Sequence, residues 1–374
     1  MATLSPLLRA AAQSLCTPPT ATYCEHHVLA ALRPMLEPLP HVTLKSDRFG
    51  NLLARYRRGK GAPPVCLVAH TDHPGFGINQ RRGQPTPHLL GGVKESYLPG
   101  KTIEFFGPET TAPLGQAVIT ATAYTKKYRW VETDRPVPRG AAFAMWKLPA
   151  GSFRGGRWVG RVCDDLANVA TMTALLQTLA KEQAEADVWC LYTRAEEIGF
   201  LGALAAEKGG LLPPKRVPIL SLETSQARGF AKIGAGPIVR VGDRSTIFTP
   251  EVTYRLEQAA AEAGVAAQRL LMGGGTCEAT AFFGRGRPVG GLCLALHNYH
   301  NMTARGSIGP EAVDATDWQQ LLDLLHCLCR GGRAASAAGQ KRRNVASRLE
   351  QFSRFAIEHL PKSAHKSRPG PSPW

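Results

Sequence analysis

The stretch Val65-Cys-Leu-Val-Ala-His-Thr-Asp-His-Pro-Gly-Phe-Gly77 passes from apolar to polar side chains within a few residues. Its first five residues are apolar, which is typical of a strand that is buried on both faces. Two imidazoles and a carboxylate then follow, in His70, Asp72 and His73. Taken alone, the stretch fits a solvated strand end with a capping aspartate as well as it fits a functional site.

The composition indicates a globular protein. A chain of 374 residues can form one large domain and a smaller one. Hydrophobic residues make up 44% and charged residues 20%, which argues against disorder. No apolar run approaches a spanning helix, and the first residues contain no signal-peptide core, so we expect a soluble, cytoplasmic protein without a membrane partner. The nine cysteines, an odd number without a C-x-x-C pair, favour a reducing compartment.

The C-terminal segment contributes +7 of the net charge of +16. Residues 331–374 carry nine Lys and Arg against two Glu, and end in a segment rich in Pro and Ser. This composition predicts a basic tail with a short helix at about 344–360 and a disordered end. The other residues show no basic stripe, so nucleic acid is not expected as a partner except weakly through the tail.

Apolar strands and helices alternate along most of the chain. Periodicity predicts a first helix at 21–36 and a strand hairpin at 42–54. Residues 79–156 differ, since they are rich in Gly and Pro and contain short β-like segments. Beyond them we predict helices at 166–180, 199–208, 250–263 and 310–329, and strands at 188–193, 217–222 and 291–296. The pattern predicts an α/β fold with a mixed, mostly parallel sheet flanked by helices. We therefore divide the chain into a main domain (1–78 and 157–330), an inserted β-rich domain (79–156) and the basic tail (331–374).

Acids and imidazoles follow most of the predicted strands. Individually, each has an ordinary explanation, such as an N-cap or a surface histidine. Ligands of such sheets, however, bind beyond the carboxyl ends of the strands, where these side chains would meet. They are His70 and Asp72, Asp164-Asp165, Glu196-Glu197, Glu223, and His297 with His300.

These residue types are those that a hydrolytic site with two metal ions requires. Zinc binds imidazole nitrogen and carboxylate oxygen, and two neighbouring ions need one carboxylate that bridges them. The expected ligands are His70, Asp164, Glu197, Glu223 and His300. Glu196 remains free to act as general base and later as acid. Asp72 would accept the second imidazole N–H of His70.

Other catalytic arrangements have less support. The sequence contains no G-x-S-x-G elbow, P-loop or H-E-x-x-H motif. Gly273-Gly-Gly-Thr-Cys-Glu278 could place Cys277 as a nucleophile, although a lone cysteine in a glycine loop is a weak signal. The glycines more plausibly allow the backbone to approach a substrate closely. We expect His73, Gly274, Gly275, Thr276 and His297 to contact the substrate.

The order of these motifs resembles the co-catalytic zinc exopeptidases, and within them the glutamyl (tetrahedral) aminopeptidase and cellulase M family. The resemblance covers about residues 20–330. It is carried by four segments that match motifs of the family: Ser46-Asp-Arg-Phe-Gly-Asn-Leu52, Ala69-His-Thr-Asp-His-Pro-Gly-Phe76, Arg194-Ala-Glu-Glu-Ile-Gly199 with Gly202-Ala203, and Gly273-Gly-Gly-Thr276.

The resemblance implies a zinc-exopeptidase fold whose insert is a small β-barrel used for dimerisation. It implies that Asp164 bridges two metal ions, that His70 and Glu223 complete one site, and that Glu197 and His300 complete the other. Glu196 would be the base, and the Asp164-Asp165 peptide would be cis. The ions would be zinc, although cobalt and manganese also suit such ligands.

The chain also departs from the family pattern. Leu166 stands where an Arg usually follows the Asp pair, and His73 stands where a Glu usually follows His-x-Asp. Cys277-Glu278 replaces an Asp after the glycine turn, and Glu223 replaces the usual Asp. Among related enzymes, a Glu at the position of Glu223 is more similar to the pattern of carboxypeptidases and N-deacylases.

We therefore predict a dinuclear metal-dependent amide hydrolase, an aminopeptidase that releases N-terminal residues from peptides and assembles as a homo-oligomer through its insert. A carboxypeptidase or N-acyl amino acid deacylase with the same site is the first alternative. A non-catalytic binding protein that uses the basic tail is the second.

Overall fold

The computed structural model describes residues 4–60, 62–227, 229–330, 344–345 and 347–349. Within these ranges no helix has the length and apolar character needed to cross a membrane. Of the tail helix predicted at about 344–360, residues 344–345 and 347–349 are described and are helical; its other residues and the predicted disordered end lie outside the described residues.

The α-helices match most of the predicted positions. They are α1 (Pro6–Leu15), α2 (His26–Leu36), α3 (Leu166–Glu182), α4 (Leu201–Lys208), α5 (Pro250–Glu262), α6 (Glu278–Phe283) and α7 (Ala315–Cys329). The predicted apolar face of α2 is largely buried, with Val28, Leu32 and Leu36 fully inside. The sequence analysis did not include α1, whose Ser5 side chain caps the N–H of Leu8 and whose Pro6 occupies the first turn.

The strands fall into two sheets. Those of the large sheet are β1 (Val42–Ser46), β2 (Leu52–Arg58), β3 (Val65–His70), β10 (Gly151–Arg154), β11 (Arg157–Gly160), β12 (Ala186–Thr193), β13 (Ile219–Gln226), β14 (Ile238–Asp243), β15 (Gln268–Met272), β16 (Val289–His297) and β17 (Glu311–Asp314). Those of the second sheet are β4 (Gly75–Arg81), β5 (Gln84–Leu90), β6 (Thr102–Phe106), β7 (Gly115–Tyr124), β8 (Arg129–Thr133) and β9 (Phe143–Trp146).

The centre of the large sheet is parallel. The strand order is β1-β2-β12-β3-β13-β16-β17-β11-β10, with β14 and β15 branching from β16. The strands β12, β3, β13 and β16 run in the same direction, so their carboxyl ends meet at one edge. All six residues of β3 are buried, as its apolar sequence predicts for a strand covered on both faces.

The sheet is mixed, as predicted, but it is not mostly parallel. The pairs β1–β2, β2–β12, β14–β16, β16–β17, β17–β11 and β11–β10 are antiparallel. Of these strands, β10, β14 and β17 were not predicted, because they are only four to six residues long and lie between more obvious helices and strands. Gly155 and Gly156, both with positive φ, form the tight turn between β10 and β11.

The segment rich in Gly and Pro forms the second sheet, which closes into a barrel in the order β4-β5-β8-β7-β6-β9. It has its own core, in which Phe76, Ile103, Phe105 and Trp146 are buried. The barrel strands extend from Gly75 to Trp146, whereas the predicted insert ended at residue 156. β10, inside that predicted range, instead pairs with β11 in the large sheet.

Two further elements differ from the sequence-based predictions. Residues 311–314, assigned to the start of a helix at 310–329, form β17, and α7 begins after Asp314, whose side chain caps its first N–H groups. The pattern after Pro310 was interpreted as one helix because Pro is common at the first helical position. Glu223, expected to follow a strand that ends at Leu222, lies within β13, which continues to Gln226.

The helix α3 connects the core to the sheet edge. It packs against α1 and α7, and its first residue, Leu166, follows the Asp164-Asp165 pair directly. Its first turn is held by Trp318, whose indole N–H donates to the Ala167 carbonyl and the Thr171 hydroxyl. Because α3 is buried along most of its length, its amino-terminal end is fixed at the edge where the parallel strands finish.

Candidate metal centre

The predicted ligands come together at the carboxyl edge of the parallel strands. Asp164 lies between two histidines, because its Oδ1 is 3.5 Å from His70 Nε2 and its Oδ2 is 3.6 Å from His300 Nε2. His300 Nε2 is also 3.2 Å from Glu197 Oε2. His70 is 1% exposed, Asp164 3% and His300 4%, so the cluster is screened from bulk water.

The potential ligand atoms form two sets that share one residue. Those of His70, Asp164 and Glu223 all lie within 4.8 Å of one another, and so do those of Asp164, Glu197 and His300. Glu196 joins a third group with His70 and Glu197, and its Oε2 is 3.9 Å from His70 Nε2. Asp164, with one carboxylate oxygen towards each histidine, is the member common to the first two sets.

The polar atoms of the cluster fit a bound cation. Among the described residues, Asp164 Oδ1 and Glu197 Oε1 are buried and have no hydrogen-bond partner. A buried carboxylate oxygen without a partner is costly, and a metal ion would satisfy it. Imidazole nitrogen with carboxylate oxygen is a donor set that suits zinc and also other divalent transition metals. The residues present therefore fit two divalent metal ions.

The cluster concentrates negative charge, and the pKa values of its side chains reflect this. Burial raises the pKa of the Glu196 carboxyl well above its ordinary range, and Glu223 and Glu197 add to the rise, against the opposing effect of His70. Burial alone would lower the pKa of His300, but the carboxylates of Glu197 and Asp164 raise it to about 9. Without metal ions, protons on the histidines therefore balance part of the carboxylate charge.

The ring of His70 is oriented by the main chain. Its Nδ1 lies 3.1 Å from the carbonyl oxygen of Asp72, so the proton belongs on Nδ1 and the lone pair of Nε2 faces the cluster. The sequence analysis expected the Asp72 carboxylate to accept this proton. That carboxylate lies further away, with Oδ1 at 3.5 Å from Nδ1.

The Asp72 carboxylate instead holds the neighbouring loop. It accepts hydrogen bonds from the backbone N–H groups of Glu196, at 2.9 Å, and Glu197, at 3.3 Å, and from the Thr22 hydroxyl, at 2.8 Å. A second buried acid, Glu25, accepts from the N–H of Ala195 and from the side chain of Arg194. Glu25 was not identified from the sequence. It is the residue that precedes the first turn of α2 and lies far along the chain from the residues that it holds.

His73 does not face the substrate side, contrary to the prediction. It is completely buried, with Nδ1 at 2.7 Å from the Asp164 carbonyl and Nε2 at 3.0 Å from Asn301 Oδ1. Asn301 Nδ2 donates to two carbonyl groups, so its Oδ1 is the acceptor for His73. Both nitrogens of His73 therefore face acceptors, and the residue supports the main chain of Asp164.

Glu311, at the start of β17, supports both ends of the cluster and was missed in the sequence. Its Oε2 accepts from the N–H groups of Cys163, at 2.7 Å, and Asp164, at 3.0 Å, while its Oε1 accepts from the N–H of His300 at 2.8 Å. The assignment of residues 310–329 to one helix concealed it, because an acid in a first helical turn has an ordinary explanation. The Asp164-Asp165 peptide between these supports is cis, as the resemblance implied.

A cleft of about 440 Å³ opens above the cluster. Leu271, Met272, Tyr299 and Met302 provide apolar walls, Lys94 and Arg240 bring positive charge, and the glycine turn at 273–275 with Thr276 lies along one side. The predicted contacts Gly274, Gly275 and Thr276 are thus placed at the cleft. Cys277 is buried, and burial raises the pKa of its thiol, so it does not present a nucleophile.

His297 is not among the residues that line the cleft. It pairs with Ala312 of β17, and its surroundings include Arg157 and Asp314. Asn298 and His300 both adopt positive φ, so the chain turns sharply after β16 and directs His300, but not His297, into the cluster. A sequence pattern without backbone angles does not separate these two histidines.

Comparison with known families agrees with this geometry. The sequence profile of the M42 glutamyl aminopeptidase family matches residues 141–309, which include Asp164, Glu196, Glu197, Glu223 and His300. The match spans a little less than half of the chain, which is therefore similar to this family over that region. A candidate aminopeptidase of Acetivibrio thermocellus is 23% identical to this chain over 289 residues, which are 71% of this chain and 83% of that protein.

Solved structures share the fold of this chain. An aminopeptidase from Desulfurococcus kamchatkensis matches with a TM-score of 0.72 at 19% identity, over 88% of this chain and 96% of that one. The TET aminopeptidase of a marine-sediment thaumarchaeon matches with a TM-score of 0.73 at 18% identity, over 89% and 98% of the two chains. At such low sequence identities, the structural similarity shows the mixed α/β fold alone.

Proposed function

We propose that this chain is an aminopeptidase that uses two divalent metal ions, most suitably zinc, to hydrolyse the N-terminal peptide bond of its substrates. The observation that carries the proposal is the shared carboxylate: Asp164 directs one oxygen towards His70 and the other towards His300. His70 and Glu223 would hold one ion, and Glu197 and His300 the other. The family match supports a metal-dependent aminopeptidase.

When bound, two such ions supply Lewis acidity at the scissile carbonyl and lower the pKa of an attacking water. The protein contributes the position of the ligands and the exclusion of bulk water. The Asp72 carbonyl holds the ring of His70, and the Asp72 carboxylate holds the loop of Glu196 and Glu197. The ligands at these two strand ends are therefore fixed in position relative to each other.

Glu196 is the proposed general base. Its carboxylate reaches the cluster but belongs to neither of the two ligand sets that contain Asp164. It would take a proton from the water that attacks the carbonyl carbon. It would then deliver that proton to the leaving nitrogen as the C–N bond breaks, which restores the carboxylate.

A second candidate is a carboxypeptidase or N-acyl amino acid deacylase. The observation in its favour is the positive lining of the cleft, where Arg240 and Lys94 could bind a substrate carboxylate. Peptides with a free or an acetylated N-terminus separate the two candidates. Loss of hydrolysis on acetylation supports the aminopeptidase, and release of C-terminal residues from acetylated peptides would replace it with the second candidate.

We also propose that the barrel segment, predicted as an inserted domain at residues 79–156, mediates homo-oligomer formation. The TET1 peptidase of Pyrococcus horikoshii, which shares the fold at 20% identity, can assemble into a tetrahedron or a large octahedral shell. Light scattering of the full chain tests for assembly. A monomer at micromolar concentration would contradict the proposal.

Metal analysis tests the cofactor assignment directly. Protein saturated with zinc, cobalt or manganese and then desalted should retain up to two ions per chain, which a chelator removes. Turnover should disappear with the ions and return when they are restored.

A further inference from the structure

One strand beside the cleft has an unpaired edge. Within the described part of the chain, β15 pairs with β14 alone. The N–H of Gln268 bonds to the Pro237 carbonyl on the β14 side. Because the backbone groups of consecutive residues alternate in direction along a strand, those of Arg269 and Leu271 point to the free edge. Such an edge is a template for another extended chain.

The free edge leads directly into the glycine turn at the cleft. The carbons that a side chain would add at Gly273, Gly274 and Gly275 would meet no protein atom within 4 Å, and none of the three has a positive φ. At Gly202, by contrast, such a carbon would lie 2.3 Å from the Arg194 carbonyl oxygen, so the fold itself requires glycine there. The fold places no such requirement on the turn, whose open surface suits the close approach of a second backbone.

A buried cation points to a ligand in the same cleft. Arg240 lines the cleft, is 3% exposed, and its Nε has no hydrogen-bond partner among the described residues. Its Nη1 has only a long contact of 3.5 Å with the Ser225 hydroxyl. An unsatisfied guanidinium donor is unfavourable in the interior, so an acceptor oxygen of a bound molecule is expected beside it.

We propose that the substrate lies along β15 as an added strand, so that its main chain pairs with the free edge, passes across Gly273–Gly275 and presents an acceptor oxygen to Arg240. This inference rests on the proposed function, because it takes the substrate to be a peptide. The occupant is an extended peptide because the end of this edge strand, Leu271 and Met272, and the glycine turn line the same cleft as the metal cluster. Main-chain pairing would supply affinity without selecting particular side chains.

The test uses a synthetic heptapeptide with a free N-terminus, and analogues in which each amide beyond the first bond is N-methylated in turn. Binding is measured calorimetrically to the metal-loaded Glu196→Gln protein, which should not turn the peptides over. Methylation removes one donor and blocks one edge of the peptide. Since only alternate amides of an added strand face β15, alternate positions should weaken binding about tenfold while those between should bind normally.

Variants of the protein supply a second measurement. Gly275→Ala and Gly274→Ala, which add a methyl group at the open turn, should weaken heptapeptide binding several-fold. Gly284→Ala is the matched control, because Gly284 ends α6 with φ of −60° and only ordinary van der Waals neighbours. Its binding should equal that of the parent.

Equal tolerance of methylation at every position, or equal loss at every position, would overturn the proposal, as would normal binding by both turn variants. If a second copy of the chain covered β15 instead, the peptide would tolerate methylation equally at every position. Turnover by the wild-type protein is measured separately. An alternating pattern without turnover would contradict the proposed function alone, and turnover without alternation would contradict this inference alone.

Discussion

The buried carboxylate of Asp72 accepts a hydrogen bond from the backbone N–H of Glu196 at 2.9 Å. Asp72 follows β3 and Glu196 follows β12, two neighbouring parallel strands. The bond therefore connects the strand end that carries His70 with the loop that carries the proposed general base. It makes the position of Glu196 depend on a residue that is not in either set of ligands.

Asp72→Asn should lower turnover about ten- to a hundredfold, the usual range for a residue that orients ligands. The new amide N–H group would face donors from which the Asp72 carboxylate now accepts hydrogen bonds. Activity and metal content should be measured together. Asp187→Asn is the control, because Asp187 pairs with Arg55 on a remote part of the sheet, and it should leave turnover unchanged. Equal activity of the two variants would contradict the role of Asp72.

Glu196→Gln and Glu197→Gln should differ in kind although the residues are adjacent. Glu196→Gln should retain both metal ions and lose about a hundredfold to ten-thousandfold in kcat, since proton transfer is removed. Glu197→Gln should lose affinity for one ion, because an amide is a weaker ligand than a carboxylate. Metal analysis beside kinetics distinguishes them, and undiminished turnover by Glu196→Gln would contradict its assignment as base.

Glu311 should affect both ions although it binds neither. Glu311→Ala leaves three buried N–H groups without an acceptor, those of Cys163, Asp164 and His300. We expect metal affinity to fall about ten- to a hundredfold, and less in Glu311→Gln, which keeps one acceptor oxygen. Asp314→Asn, on the same strand, should bind metal normally, because its side chain only caps α7. Normal metal affinity in Glu311→Ala would refute the prediction.

Metal binding should release protons at neutral pH. In the metal-free protein the pKa of His300 is raised to about 9, so at pH 7 the ring is protonated and must lose its proton to bind metal. Apparent affinity should therefore increase with pH up to about 9 and then level off. Calorimetry in two buffers with different ionisation enthalpies measures the release. His300→Ala should release fewer protons, and identical heats in both buffers would contradict the prediction.

The sequence alone was sufficient for the parallel centre of the sheet and for the resemblance to the glutamyl aminopeptidase family. The strands β3, β12, β13 and β16 each contain a mainly apolar segment, and burial on both faces favours that pattern. Because parallel strands end at a common edge, the polar residues after them could be expected to meet there, and His70, Asp164, Glu196, Glu197, Glu223 and His300 do so. The profile match over residues 141–309 agrees with the resemblance that these motifs indicate.

The short antiparallel strands were less predictable. β10, β11 and β17 each have four residues, too few for a hydrophobic period to appear. β10 and β11 form a hairpin, and β11 pairs with β17, which lies far along the chain. The same limit concealed Glu311, whose hydrogen-bond partners lie in two distant segments.

The identity of the cluster is therefore a property of the sequence, while the orientation within it is a property of the tertiary structure. Residue types after apolar strands determine which ligand chemistry is available, because strand direction alone collects them. Whether His73 faces the substrate or the Asp164 carbonyl, and whether His297 or His300 enters the cluster, depends on turn angles and on partners such as Asn301. Those contacts form only when segments far apart in the chain pack together, so no local pattern records them.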